Sequence, residues 1–341
     1  KDGAPVDQTQ KANAGEYKVK LVYTDAKGQK YTVDEKTFTI TKKTVTITAS
    51  GTITKEYDGK QSLVLPAGVT LTIEGNPADL TVDPNALQYA SENAGTGIKI
   101  ELVPGKTCLT GAAAANYNVD PSELKGTIAP RKLIVTPNKQ TFTYGQDTEI
   151  TKALTTEFDY AGKNGTLPSG LTPTFNGSMV LTQNEEVKST YNAGDYYPRQ
   201  GTLAVNSNNY EISEFKTTVN GTEIKWVVSP KTVDPFDVTL QAEYGINGSE
   251  LYAMLNTAKV TVDGKEVNLS TVYNVNVLDI GDAGKNKVSR TGTDAVNAGE
   301  YTVTNWTLTT LGKNYTFNKV PTLKINVKPH VLADADVQLS G

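Results

Sequence analysis

Apolar and polar residues alternate with a period of two along much of this chain. Thr44-Val45-Thr46-Ile47-Thr48-Ala49-Ser50, Leu133-Ile134-Val135-Thr136 and Lys259-Val260-Thr261-Val262 each read as a strand with one buried face. Asp263-Gly264 follows the last run and predicts a type I′ hairpin turn into Lys265-Glu266-Val267. Two stretches break the alternation. Residues 148–154 and 249–255 are rich in helix formers, Ser249 is a cap-type residue, and both predict a short helix. Residues 61–66 hold the corresponding place earlier in the chain, where Pro66 opposes a helix.

The pattern recurs at long range. Asn-Ala-Gly begins at Asn13, Asn93, Asn192 and Asn297, at intervals of 80, 99 and 105 residues. A Tyr preceded by Asn or Lys follows each time, at Tyr31, Tyr117, Tyr210 and Tyr315. Upstream lie Tyr57-Asp58-Gly59, Tyr144-Gly145 and Tyr244-Gly245, and an alternating run ending at Pro or a basic residue closes each unit. A period near 100 residues is the size of a small domain with its own core. The order of markers predicts complete units at 43–130, 131–230 and 231–328. Residues 1–42 then form the second half of a preceding unit, and 329–341 the start of a following one.

The Asn-Ala-Gly-x-Tyr spacing has a physical reading. Gly194 and Gly299, like Gly15, suit a tight corner at positive φ, and Tyr196 and Tyr301 begin a strand two residues later. In immunoglobulin-like sandwiches a Tyr in this place bonds back to the preceding corner. The unit at 43–130 departs, because Gly97 stands where the phenol belongs.

Composition narrows the chemistry. The chain has 341 residues and a net charge of −4, so the basic excess of a nucleic-acid binder is missing. No apolar run reaches the length of a membrane span. With one Cys (Cys108) and one His (His330), neither an internal disulfide nor a Cys/His zinc site can form. A nucleophile–His triad would have to use His330, in the tail segment Lys328-Pro329-His330-Val331. No carboxylate pair stands out for hydrolysis, and Glu185, Glu186, Asp334 and Asp336 lack a calcium-loop pattern. No enzyme activity, metal or cofactor is expected.

The order Tyr-Asp-Gly or Tyr-Gly-x, then Asn-Ala-Gly-x-Tyr, then Asn-Tyr, then a closing strand with Pro and a basic residue resembles the MBG and YDG-type repeats of bacterial surface proteins. The Tyr-Asp-Gly form suits 43–130 and the Tyr-Gly-x form suits 131–230 and 231–328. The resemblance implies a mainly all-β chain. It would be made of tandem small domains, Ig-like or β-grasp-like, with a short helix in some units, arranged as an elongated rod. It also implies an internal stalk or spacer segment of an extracellular, cell-surface or secreted adhesin-like protein, with neighbouring repeats as partners. The alternative reading is a binding module, one unit of which recognises a host or environmental glycan or protein.

Tyr57, Tyr144 and Tyr244 and the Asn-Tyr pairs at 116–117, 209–210 and 314–315 could mark a ligand groove. Recurrence in every unit favours a structural role. Trp226 and Trp306 could stack on glycans, but strand aromatics ordinarily pack in cores. The tail at 329–341 reads as an opening strand, which raises self-association by strand addition to residues 1–42 of another copy.

Overall fold

The computed structural model describes residues 12–75, 80–282 and 286–332. The tail strand and its exchange with another copy therefore lie largely outside the described residues, as do Asp334 and Asp336. The fold is mainly β, as the alternation predicts, with many small sheets rather than one large one.

The described residues divide into two compact units. One is drawn from Lys1–Val135, Tyr160–Asn176 and Ala204–Phe215, the other from Thr136–Asp159, Gly177–Leu203 and Lys216–Gly341. Residues 131–230 thus contribute to both.

In the first unit, the hairpin Gly15–Thr24 and Lys30–Ile40 leads into the strand Lys43–Ala49. That strand pairs in parallel with Tyr117–Asp120. Ile53–Glu56 pairs in parallel with Lys125–Ala129, which runs antiparallel to Gly95–Leu102. Between these sheets lies a core that includes Ile47, Ile53, Tyr89, Ile100 and Ile128. Arg131–Pro137 pairs in parallel with Tyr210–Phe215, and Leu133 and Tyr210 join the same core. Tyr31 lies on the hairpin opposite Tyr23, unlike Tyr117 and Tyr210, each of which begins a parallel partner strand.

The second unit repeats this order of pairings. Thr141–Thr143 pairs in parallel with Trp226–Ser229, which runs antiparallel to Gly194–Arg199. Lys231–Val233 pairs in parallel with Tyr315–Phe317, and Asp237–Glu243 with Thr322–Lys328. Gly299–Thr304 runs antiparallel to Thr322–Lys328. Parallel partners need a long crossover, and helices occupy two of them. These are α1 (Asp147–Thr156) and α2 (Gly248–Thr257), at the two places where the sequence predicts helices. The α2 N-cap is Asn247 and not Ser249. Its side chain accepts from the Glu250 N–H while Glu250 accepts from the Asn247 N–H, a complete capping box. Asp263 (φ 52°) and Gly264 (φ 72°) make the type I′ turn between Lys259–Val262 and Lys265–Asn268. Leu251, Leu255, Leu269, Leu278, Ile280 and Ile325 form the core over residues 233–327.

Candidate functional site

The recurring residues gather at three joints, each lying within one compact unit. Four corners share one backbone plan. Gly15, Gly95, Gly194 and Gly299 stand opposite Ile40, Ile128, Val228 and Val327 of the adjoining closing strand. Gly15, Gly194 and Gly299 hold φ of 154°, 153° and 158°, a region that other residues rarely enter. The corner tyrosine donates to the Asn carbonyl four residues back. The distances are 2.7 Å for Tyr17 to Asn13, 2.9 Å for Tyr196 to Asn192 and 2.9 Å for Tyr301 to Asn297. At Asn93 this bond is missing because the position is Gly97.

Three of these corners each hold an asparagine from more than a hundred residues further on. The Ala14 N–H donates to Asn116 Oδ1 at 2.7 Å, and Asn116 Nδ2 donates to Asn13 Oδ1 at 2.9 Å. Ala94 and Asn93 hold Asn209 in the same way, at 2.7 and 2.9 Å. Ala193 and Asn192 hold Asn314 at 2.6 and 2.8 Å. Asn314 is 1% exposed, and its carboxamide oxygen and nitrogen both have partners, which is what burial of an amide requires. The held asparagine immediately precedes the Tyr that begins the parallel strand.

At two of the joints that Tyr packs against the Tyr-Gly turn. The rings of Tyr57 and Tyr210 meet edge to face at 5.4 Å, as do those of Tyr144 and Tyr315. Burial pushes the phenols of Tyr210 and Tyr315 above their ordinary range, and the neighbouring Tyr adds to this. Tyr57, Tyr144 and Tyr244 each donate a backbone N–H, at 2.9 Å, to the end of the closing strand, at Ala129, Ser229 and Lys328. Gly59, Gly145 and Gly245 follow at φ of 70°, 93° and 109°. Gly59 also lies against Leu171, where an added Cβ would collide with the leucine methyl. Arg131 ties this joint together by donating to the carbonyls of Tyr57 (3.2 Å) and Thr166 (2.9 Å).

Asp58 has a local task. It pairs with Lys55 Nζ at 2.8 Å and accepts from the Lys60 N–H at 3.0 Å. The Lys55 side chain is 6% exposed and also lies over the Tyr89 ring, 5.4 Å from its centroid. The buried ammonium is thus paired, which a buried charge needs.

The other singled-out residues are also engaged. Trp226 is fully buried, donates from Nε1 to the Asn138 carbonyl at 2.7 Å and packs on Phe142. Trp306 is half-buried against Tyr273 and Phe236. Cys108 is a buried free thiol, its pKa raised by desolvation. Glu186 pairs with Lys188, which lowers its pKa. Among the described residues no three His, Cys, Asp or Glu side chains cluster as metal ligands.

The fold and its joints define a β-rich chain whose recurring residues bind one another. Residues 41–124 match the family model of the YDG domain. The match covers both Tyr57-Asp58-Gly59 and the Asn93 corner. No curated protein matches the chain.

Proposed function

We propose that this chain is a tandem array of YDG- and MBG-type modules at 43–130, 131–230 and 231–328. In this reading it serves as a non-enzymatic stalk or spacer in a bacterial, adhesin-like surface or secreted protein. The observation that carries the reading is the joint. The same asparagine, corner and, at two of the three joints, paired tyrosines link residues roughly one module further along the chain. The YDG match over 41–124 supports it from sequence. In this reading, the recurring residues at the three joints hold consecutive modules together, which is the task of a spacer.

A spacer is extended. A globule of this length has a radius of gyration of about 20 Å, whereas modules joined end to end exceed roughly 30 Å. Small-angle scattering from the purified chain is expected to give the larger value. A value near 20 Å would remove the spacer reading.

A further inference from the structure

Among the described residues, three of the four Asn-Ala-Gly corners hold an asparagine and the fourth, at Asn297, holds none, though its backbone is the same. We propose that the Asn297–Ala298 corner and the ring of Tyr244 form an acceptor site for an Asn-Tyr dipeptide at the head of a β-strand, carried by another module of the same kind. The inference rests on the modular reading above and adds a specific recognition chemistry to it.

The corner already has the geometry of the filled ones. Gly299 sits at φ 158°, against 153° and 154° at Gly194 and Gly15. Tyr301 donates to the Asn297 carbonyl at the same 2.9 Å as Tyr196 does to Asn192. Tyr244 is fixed by its N–H to Lys328 O at 2.9 Å, as Tyr144 is to Ser229 O. The backbone of the corner is already set before a partner docks, which lowers the ordering cost of binding.

What differs is occupancy. Neither the Ala298 N–H nor the Asn297 carboxamide has a hydrogen-bond partner among the described residues. Ala298 is exposed where Ala14, Ala94 and Ala193 are half-buried. Tyr244 is 47% exposed and has no ring neighbour among the described residues, whereas Tyr57, in the same place with Tyr210 docked, is 5% exposed. An open concavity of about 700 Å³, lined in part by Asp294, Asn297, Ala298 and Tyr301, lies beside the corner.

The vacant groups specify their occupant. A backbone donor beside a carboxamide acceptor suits a side chain that accepts through one atom and donates through its neighbour, as a primary amide does. An exposed ring beside them asks for an aromatic edge. At both filled joints that include a Tyr-Gly turn, asparagine followed by tyrosine meets these demands.

The test extends the full chain after Pro329 with a copy of residues 231–328 and follows amide hydrogen exchange by NMR. The Ala298 N–H is expected to slow by about tenfold or more, the ratio equivalent to one net hydrogen bond. Asn314→Ala made only in the appended copy should return it to the fast rate. A folded appended module with Ala298 still fast overturns the acceptor site and leaves the array standing. An appended module that does not fold counts against the array instead. In that event a synthetic peptide of residues 311–318 added to the unextended chain decides the site. Resonance shifts at Ala298 and Tyr244 that vanish with the Asn314→Ala peptide support it, and shifts indifferent to that change, or none, sink it.

Discussion

At the scale of residues, the polar bonds of the joints are of unequal worth. Tyr196→Phe and Tyr301→Phe each remove one hydroxyl bond and are expected to cost about 1 kcal/mol in denaturant unfolding. Asn314→Ala should cost more, on the order of 2–3 kcal/mol, because it removes both bonds of a buried amide and leaves the half-buried Ala193 N–H unpaired. Equal losses for the two kinds of change would show that the joint amide is no more than a surface bond. The tyrosines also set an alkaline limit. Tyr273 is 3% exposed, and desolvation raises its pKa to about 12. The folded state holds this proton more tightly than the unfolded chain, so the contribution is complete below pH 10 and is lost as pH rises towards 12. The loss from this group is about 2–3 kcal/mol, and Tyr273→Phe should flatten the decline. The spacing of Asn, Gly and Tyr was legible in the sequence, since it lies within five residues. The Asn-to-Asn pairs were not, because no local pattern tells an asparagine which partner lies 103 or 122 residues away. Leu171 against Gly59 is hidden in the same way: a glycine needed for positive φ and one needed for close approach look alike in a sequence.

At the scale of elements, local chemistry was the better guide. The two helices and the Asp263-Gly264 hairpin follow from propensity and turn type, which act within a few residues. The cap of α2 was placed two residues late, since Ser249 and Asn247 are both good caps and the reciprocal bond with Glu250 decides between them. Asn247→Ala is accordingly expected to cost about 1 kcal/mol, read as weaker exchange protection in the first turn of α2. The Gln146 side chain makes no such bond at α1, so Gln146→Ala should leave the α1 amides nearly unchanged. Strand partners were less legible than strands. Alternation shows that Lys43–Ala49 has a buried face, but its parallel partner Tyr117–Asp120 comes after several intervening strands.

At the scale of the whole molecule, the described residues hold more than one cluster of buried side chains, among them one around Ile47, Ile53 and Ile128 and one around Leu251, Leu269 and Ile325. Calorimetry is expected to resolve more than one transition, as chains with several cores do. Leu269→Ala should lower only one of them, by about 2–5 kcal/mol. A single transition that shifts as a whole would show that the cores unfold together. The way the chain enters and leaves residues 231–328 has a mechanical consequence. Lys231–Val233 and Thr322–Lys328 are each held by a parallel partner, the latter through seven residue pairs in unbroken register from Asp237↔Thr322 to Glu243↔Lys328. Tension applied between Lys231 and Lys328 slides these strands along their own axes. The evenly spaced parallel bonds are then loaded in shear, all at once. A two-stranded hairpin such as Gly15–Thr24 with Lys30–Ile40, pulled apart at its open end, gives way one bond at a time. Force along the chain therefore meets its stiffest resistance at the two ends of this segment, where it arrives.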